Sequence, residues 1–221
     1  MVLLSASATG SWSDMLAKLN DWDTALFLKV NTVWTSGFAD LIMPVLRDQR
    51  TWYPLYAFLL LYVIWKFKWK ALPFILIAGL TVALTDQVSS SFFKNYFGRI
   101  RPCSEPLLAG LMKLRVGRCP VSGSFTSSHA VNHFGLAAFI FFTLRPYFKK
   151  WGALFFLWAA SICYAQVYVG VHYPGDVLGG ALLGILLGWL TSMVFTRYFN
   201  FDDRQGKAAE QHLQQPHKET H

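Results

Sequence analysis

VLGGALLGILLGWLTSMVF (residues 177–195) sets the fold class, because it approaches the ~20 apolar residues that a helix needs to cross a bilayer. ALPFILIAGLTVALTDQVSSSFF (71–93) and WGALFFLWAASICYAQVYVGV (151–171) have comparable length. Two shorter runs, WYPLYAFLLLYVIW (52–65) and AVNHFGLAAFIFFTL (130–144), are flanked by Trp, Tyr, Lys and Arg that sit at headgroup level and extend them. Composition agrees: 54% hydrophobic, 17% aromatic and only 14% charged residues in a chain of 221 is unlike a water-soluble domain. In hydrocarbon the backbone must satisfy its own hydrogen bonds, and the alternation of barrel strands is absent. The expected fold is therefore all-α, an integral membrane bundle of five to six transmembrane helices with an N-terminal interfacial helix.

Residues 1–22 read as an N-terminal amphipathic segment, with SWSDMLAKLNDW as a short surface helix capped by Ser11 or Ser13. MVLLSASATG has no basic n-region and too short an apolar stretch for a signal peptide. Residues 23–199 form the membrane-embedded domain, opening with DTALFLKVNTVWTSGFADLIMPVL (23–46), which is apolar on average yet carries Asp23, Lys29, Asn31 and Asp40. That stretch is either a sixth span or a pair of interfacial helices. Residues 200–221 turn abruptly polar and are expected to be a disordered cytoplasmic tail, whose three histidines take no catalytic part.

If the five runs alternate, Lys66, Lys68, Lys70, Arg145, Lys149, Lys150 and Arg197 fall on one side, which the positive-inside rule makes cytoplasmic. Residues 94–128 and 170–176 then share the outer face. The outer loop strains the rule, carrying Lys94, Arg99, Arg101, Lys113, Arg115 and Arg118 against Glu105. Such a cluster is either an anion trap at the membrane surface or a contact with anionic headgroups.

Position favours the trap, because the polar groups gather at helix ends on one face. In KNYFGRIRP, Lys94 offers a mobile point charge and Arg101 a planar fork, a combination suited to phosphate oxygens. In FTSSHA, Ser127 or Ser128 can cap the following helix, whose free N–H groups make an anion site. In GVHYPGD, His172 and Asp176 lie one turn apart at the start of the last run, with Pro174 fit for the first helical turn.

Lys94 followed after six residues by Arg101-Pro102, then Ser127-Ser128-His129, then His172 and Asp176, resembles the three-part signature of the type 2 phosphatidic acid phosphatase family. That family shares its site with the vanadium-dependent haloperoxidases. The resemblance covers roughly residues 25–198 and implies a helical bundle whose site faces the outer side of a bacterial inner membrane. It further implies a lipid phosphate hydrolase that needs no metal or other cofactor, with a lipid phosphate and the bilayer as partners and no nucleic acid. Lys94, Arg101 and Ser127 would hold the phosphate, with N–H groups near Ser128 and His129 adding donors. His172 would be the nucleophile forming a phosphohistidine, with Asp176 fixing its tautomer, and His129 would be the general acid and base.

The chain departs from the family pattern at several positions. Thr126 and Ser128 replace the Pro and Gly of the usual Pro-Ser-Gly-His, which is tolerable unless residue 128 needs positive φ. Ala165 and Gln166 stand where Ser-Arg is usual, so Gln166 can donate to phosphate but carries no charge. Arg99, Arg115 or Arg118 is expected to compensate. Failing that, the chain would be a weakened lipid-phosphate binder or transporter.

His129 and His133 have the i, i+4 spacing of a metal pair, and with His172 and Asp176 they could in principle bind zinc; a hydrogen-bonded packing role for His133 is favoured. Cys103 and Cys119 could close a disulfide, whereas Cys163 is expected to be packed in a span. The glycines of 177–195 point to close helix packing. Of the substrates that the family implies, undecaprenyl diphosphate ranks first, then lipid A, phosphatidylglycerol phosphate and phosphatidate, on the ground that the chain has no extra domain to read a large headgroup.

Overall fold

The structure, a computed structural model, describes residues 7–199 and 201, with side chains from residue 12 onward. The proposed tail apart from Phe201, its histidines and the extreme N-terminus lie outside the described residues. Every regular element is helical: α1 (Ser7–Leu28), α2 (Gly37–Arg47), α3 (Tyr53–Phe67), α4 (Ala71–Gln87), α5 (Lys94–Phe97), α6 (Ser128–Phe148), α7 (Leu154–Tyr168) and α8 (Pro174–Tyr198).

Among the described residues, three helical stretches are long and apolar enough to cross a membrane: Gln49–Phe97, Ser128–Tyr168 and Pro174–Tyr198. Two of them are broken by a lysine with φ 51°, Lys68 between α3 and α4 and Lys149 between α6 and α7. At such an angle a residue bearing a Cβ cannot continue a right-handed helix. The five apolar runs thus map onto α3, α4, α6, α7 and α8. A π-helical turn over Val88–Phe93 joins α4 to α5 without a break and carries the chain on to Lys94.

Residues 23–46 fall in two helical stretches separated by a break, and neither is among the helices long and apolar enough to cross a membrane. α1 begins at Ser7, earlier than the expected caps Ser11 and Ser13, and runs through residues 22 and 23 unbroken. After a π-turn the chain leaves the helix near Trp34, and Ser36 starts α2 by accepting a hydrogen bond from the Ala39 N–H at 3.1 Å. The polar residues that interrupt this stretch are tied to other parts of the chain. Asn31, fully buried, donates to the carbonyls of Lys113 and Tyr168 at 2.8 Å and accepts from the Lys113 N–H at 2.7 Å. Asp40 accepts from Arg115 and from the Tyr168 hydroxyl, both at 2.6 Å.

α6 and α8 form the spine of the bundle. A methyl group added at Gly184 or Gly188 would fall on the carbonyl oxygen of Val131 or Gly135, and one at Gly180 would lie 2.9 Å from that of Ser127. The small-residue stripe thus lets two backbones touch, as the glycine spacing predicts. At the end where the basic turns lie, Phe74, Phe139, Leu144, Phe195 and Phe201 pack into one apolar cluster. The opposite end gathers the C-terminal parts of α4 and α7 and the N-termini of α6 and α8.

Candidate active site

Asp176 lies in the first turn of α8 and is fully buried. Its Oδ2 accepts from the Ser124 hydroxyl at 2.5 Å and the Tyr173 N–H at 2.9 Å, and its Oδ1 accepts from Arg99 at 2.8 Å. Arg99 also pairs with Asp23 of α1 at 2.7 Å and lies over the Tyr173 ring, 4.1 Å from its centroid. The other oxygen of Asp23 accepts from the Gly175 N–H at 2.7 Å. Burying a carboxylate is costly unless it is paired and hydrogen-bonded, and these donors meet that requirement.

The turn between α7 and α8 carries His172. Gly170 makes it possible: its φ is 93°, and a Cβ there would stand 2.9 Å from the Lys113 carbonyl. The imidazole is buried, with Nε2 2.9 Å from a terminal nitrogen of Arg101 and Nδ1 3.4 Å from Asp176 Oδ2. The Nδ1 contact is an ion-pair distance outside hydrogen-bond geometry, so Nδ1 has no hydrogen-bond partner. A guanidinium only donates, which makes Nε2 the acceptor and puts the ring proton on Nδ1, facing the carboxylate. Burial pushes the His172 pKa down to about 4, against the opposing pull of Asp176. At neutral pH the ring is a neutral base with its lone pair on Nε2.

Arg101 is itself almost fully buried, and its other bonds go to neutral oxygens, the carbonyls of Ser122 and Val171 and the Ser122 hydroxyl, at 2.8–3.1 Å. Its charge is held in place but not neutralised. Lys94 opens α5 and makes no ion pair or hydrogen bond among the described residues, yet it lies within electrostatic reach of Arg101, His129 and His172.

Ser127 is the N-cap residue of α6, but its hydroxyl makes no capping bond and, although buried, has no partner. Its N–H donates to the Asp176 carbonyl at 3.2 Å, which locks the two helix starts together. Ser128 is the first helical residue, without positive φ, so its replacement of glycine costs nothing in backbone geometry. Its side chain turns toward the π-turn after α4, with Oγ 3.1 Å from Ser89 Oγ. The first-turn amides of α6 have no intrahelical acceptor.

His129 follows, at the mouth of a cavity of about 570 Å3 between α3, α4 and α6. Gln49, Tyr56, Asp86, Ser128, Asn132 and His133 line its polar end, and Val63, Phe74, Leu136 and Leu144 its apolar depth. Both nitrogens of His133 are engaged, Nδ1 with the His129 carbonyl at 2.7 Å and Nε2 with the Tyr56 hydroxyl at 3.1 Å, in the packing role expected of it.

The structure departs from expectation at the compensating arginines. Arg99 is committed to Asp23 and Asp176, Arg115 to Asp40 and to the carbonyls of Asn31 and Tyr168, and Arg118 is exposed. Gln166, fully buried in α7, instead accepts a hydrogen bond at 3.3 Å from Nε of Arg47, the last residue of α2. Neither Arg47 nor Ser124 stands out in the sequence. Arg47 follows an ambiguous stretch far from the motifs, and Ser124 is one of several serines beside one. The Cys103–Cys119 disulfide is formed, with Cα atoms 5.8 Å apart, and Cys163 is free and buried.

Comparison with known proteins adds three kinds of likeness. A family model described as "PAP2 superfamily" matches residues 70–199. A lipid A 4'-phosphatase from Bacteroides thetaiotaomicron is 38% identical over 80% of this chain and 78% of its own, and one from Porphyromonas gingivalis is 31% identical over 77% and 71%. The fold is also that of a crystal structure of a transmembrane PAP2-type phosphatidylglycerolphosphate phosphatase from Bacillus subtilis, at TM-score 0.57 and 22% identity, covering 84% of this chain and 90% of that one.

Proposed function

The chain belongs to the PAP2 superfamily and is a membrane lipid phosphatase, and from that premise we propose that it removes a phosphate monoester from a lipid A-type glycolipid through a phosphohistidine on His172. The observation that carries the proposal is the cavity that starts at His129. A phosphate held by Lys94, Arg101, Ser127 and the first-turn amides of α6 directs its ester oxygen toward His129. The remainder of the substrate then enters a space that is polar at its head and apolar along its depth.

Nε2 of His172 attacks phosphorus in line while the bond to the ester oxygen breaks and His129 gives that oxygen its proton. In the second step His129 takes a proton from water, the hydroxide attacks phosphorus, and the P–N bond breaks to free inorganic phosphate and neutral His172. Asp176 steadies the charge that develops on the ring at Nδ1, and the cations stabilise the spread charge of the phosphoryl oxygens.

The leaving group sits beside Asp86, Asn132 and Gln49. Asp86 accepts from the Asn132 amide at 3.3 Å, and the buried Asn132 carbonyl oxygen has no partner. A diphosphate substrate would place a second anionic phosphate next to the Asp86 carboxylate, and like charges at that range repel. A sugar monoester leaves as a neutral alcohol with hydroxyl and amide groups that can use these residues. Together with the names of the relatives, this favours lipid A over undecaprenyl diphosphate, reversing the order suggested by the sequence.

The site is assigned to the outer face of a bacterial inner membrane, with the Lys66–Lys70 and Arg145–Lys150 turns inside. The Cys103–Cys119 bridge supports that orientation, since disulfides persist in oxidising compartments. The test is phosphate release by purified protein from lipid A, undecaprenyl diphosphate, phosphatidylglycerol phosphate and phosphatidate side by side. The highest kcat/KM is expected for lipid A carrying a 4'-phosphate, and faster turnover of the diphosphate would overturn the assignment. Acid-quenched protein should retain labelled phosphate, and His172→Ala should retain none.

A further inference from the structure

The superfamily signature usually places an arginine where this chain has Gln166, yet the site keeps three cations that form no ion pair among the described residues. Asp176, the only fully buried acid of the site, is matched by Arg99, which leaves Lys94, Arg101 and Arg47. Arg47 faces a neutral partner, the Gln166 amide oxygen, and its two terminal nitrogens have no hydrogen-bond partner among the described residues. Its charge is within electrostatic reach of both Arg101 and His129, as that of Lys94 is. The other end of the Gln166 amide is a second, independent sign of a ligand: Nε2 is fully buried and has no partner, like the Ser127 hydroxyl. Buried donors are rarely left unpaired, so two of them beside unpaired cations mark a cradle shaped for an acceptor-rich anion.

We propose that Arg47 is a phosphate-binding residue that replaces the absent third-motif arginine, with Gln166 as its positioning residue and a second phosphate donor. The charge is relocated rather than lost: it leaves α7 and is supplied from the end of α2. Gln166 accepts from Arg47 Nε through its carbonyl, which fixes the guanidinium plane, and offers its NH2 to a phosphate oxygen. α2 thereby becomes part of the site, and its docking on α7 through Asp40 and Tyr168 sets where the cation stands. This assignment rests on the proposed phosphate pocket but not on which lipid fills it.

Orthovanadate binding, measured by calorimetry on the purified protein, reads the pocket without turnover and so separates this assignment from the choice of substrate. Arg47→Met is expected to weaken vanadate at least tenfold and to lower kcat/KM for phosphate release by a similar or larger factor. Arg47→Lys, which keeps the charge without the fork, should fall between. Arg47→Met combined with Gln166→Arg should recover most of the lost vanadate affinity, a rescue that simple propping of α2 would not give. Vanadate affinity within twofold of the parent in a folded Arg47→Met protein would overturn the assignment, as would equal losses in the Met and Lys variants.

Discussion

The two ends of the bundle are built by opposite means. At the end holding Lys68 and Lys149, the helices are joined by turns of a few residues and sealed by aromatic packing, with Phe67 stacked on Phe201 at 3.7 Å and Phe74 against Phe139 and Phe195. At the other end a loop from Gly98 to Ser127 is held by a disulfide and by ion pairs and hydrogen bonds to residues far away in sequence. Asp23 of α1 reaches both Arg99 and Gly175, so α1 is wired to the buried Asp176 carboxylate. Apolar packing is tolerant and non-directional, whereas a hydrogen-bonded network fixes geometry and fails when one member is left unpaired. One end supplies cohesion, the other the sub-ångström placement that in-line chemistry demands.

The sharpest break in that contrast is Asp176→Asn. With the carboxylate gone the protonated Nδ1 edge loses the negative charge that it faces at 3.4 Å, and turnover should fall by roughly 10³–10⁴-fold, as in other His–Asp pairs, while the protein stays folded. Phosphate release and thermal midpoint measured together check it.

Next comes the effect of pH on His172. Its pKa of about 4 in the fold keeps the proposed nucleophile neutral across the whole neutral range, so the acid limb of kcat/KM should lie near that value. A limb at ~6.5, the ordinary imidazole value, would show that the ring is not held as described. Stability has the same origin. Between ~6.5 and the folded value the unfolded chain binds the proton and the folded chain does not. The contribution is therefore fully present above that window and is lost as pH falls through it. The corresponding slope in thermal midpoint should vanish in His172→Ala.

A smaller loss is expected for Arg99→Gln, which leaves both Asp23 and Asp176 short of their shared cation. Turnover should drop by about tenfold with vanadate affinity little changed, because Arg99 acts through Asp176 and not on phosphate. A selective loss of vanadate affinity would instead return Arg99 to the phosphate-binding role suggested by its sequence position.

Smallest in its effect on chemistry is Phe195→Ala at the far end, a buried ring that does not line the cavity. Removing a buried phenyl should lower stability by about 3 kcal/mol, seen as a reduced midpoint, yet leave kcat per folded molecule within about twofold. A large loss of kcat there would mean the two ends are coupled.

The helical membrane fold was legible in the sequence because bilayer thickness and backbone hydrogen bonding leave so few alternatives for long apolar runs, and both rules act locally. The packing role of the α8 glycines was legible for the same reason. His172 and Asp176 could be paired in advance because one helical turn separates them. Other features needed the tertiary structure. Asp23, Asn31 and Asp40 are buried or bonded only through partners 70 or more residues away, so no window along the chain shows that 23–46 folds back as two helices. The contact between Arg47 and Gln166 spans 119 residues and joins two helices with no shared motif. A missing charge can be read from a sequence, but where its replacement stands depends on which surfaces close on one another, and only packing in three dimensions decides that.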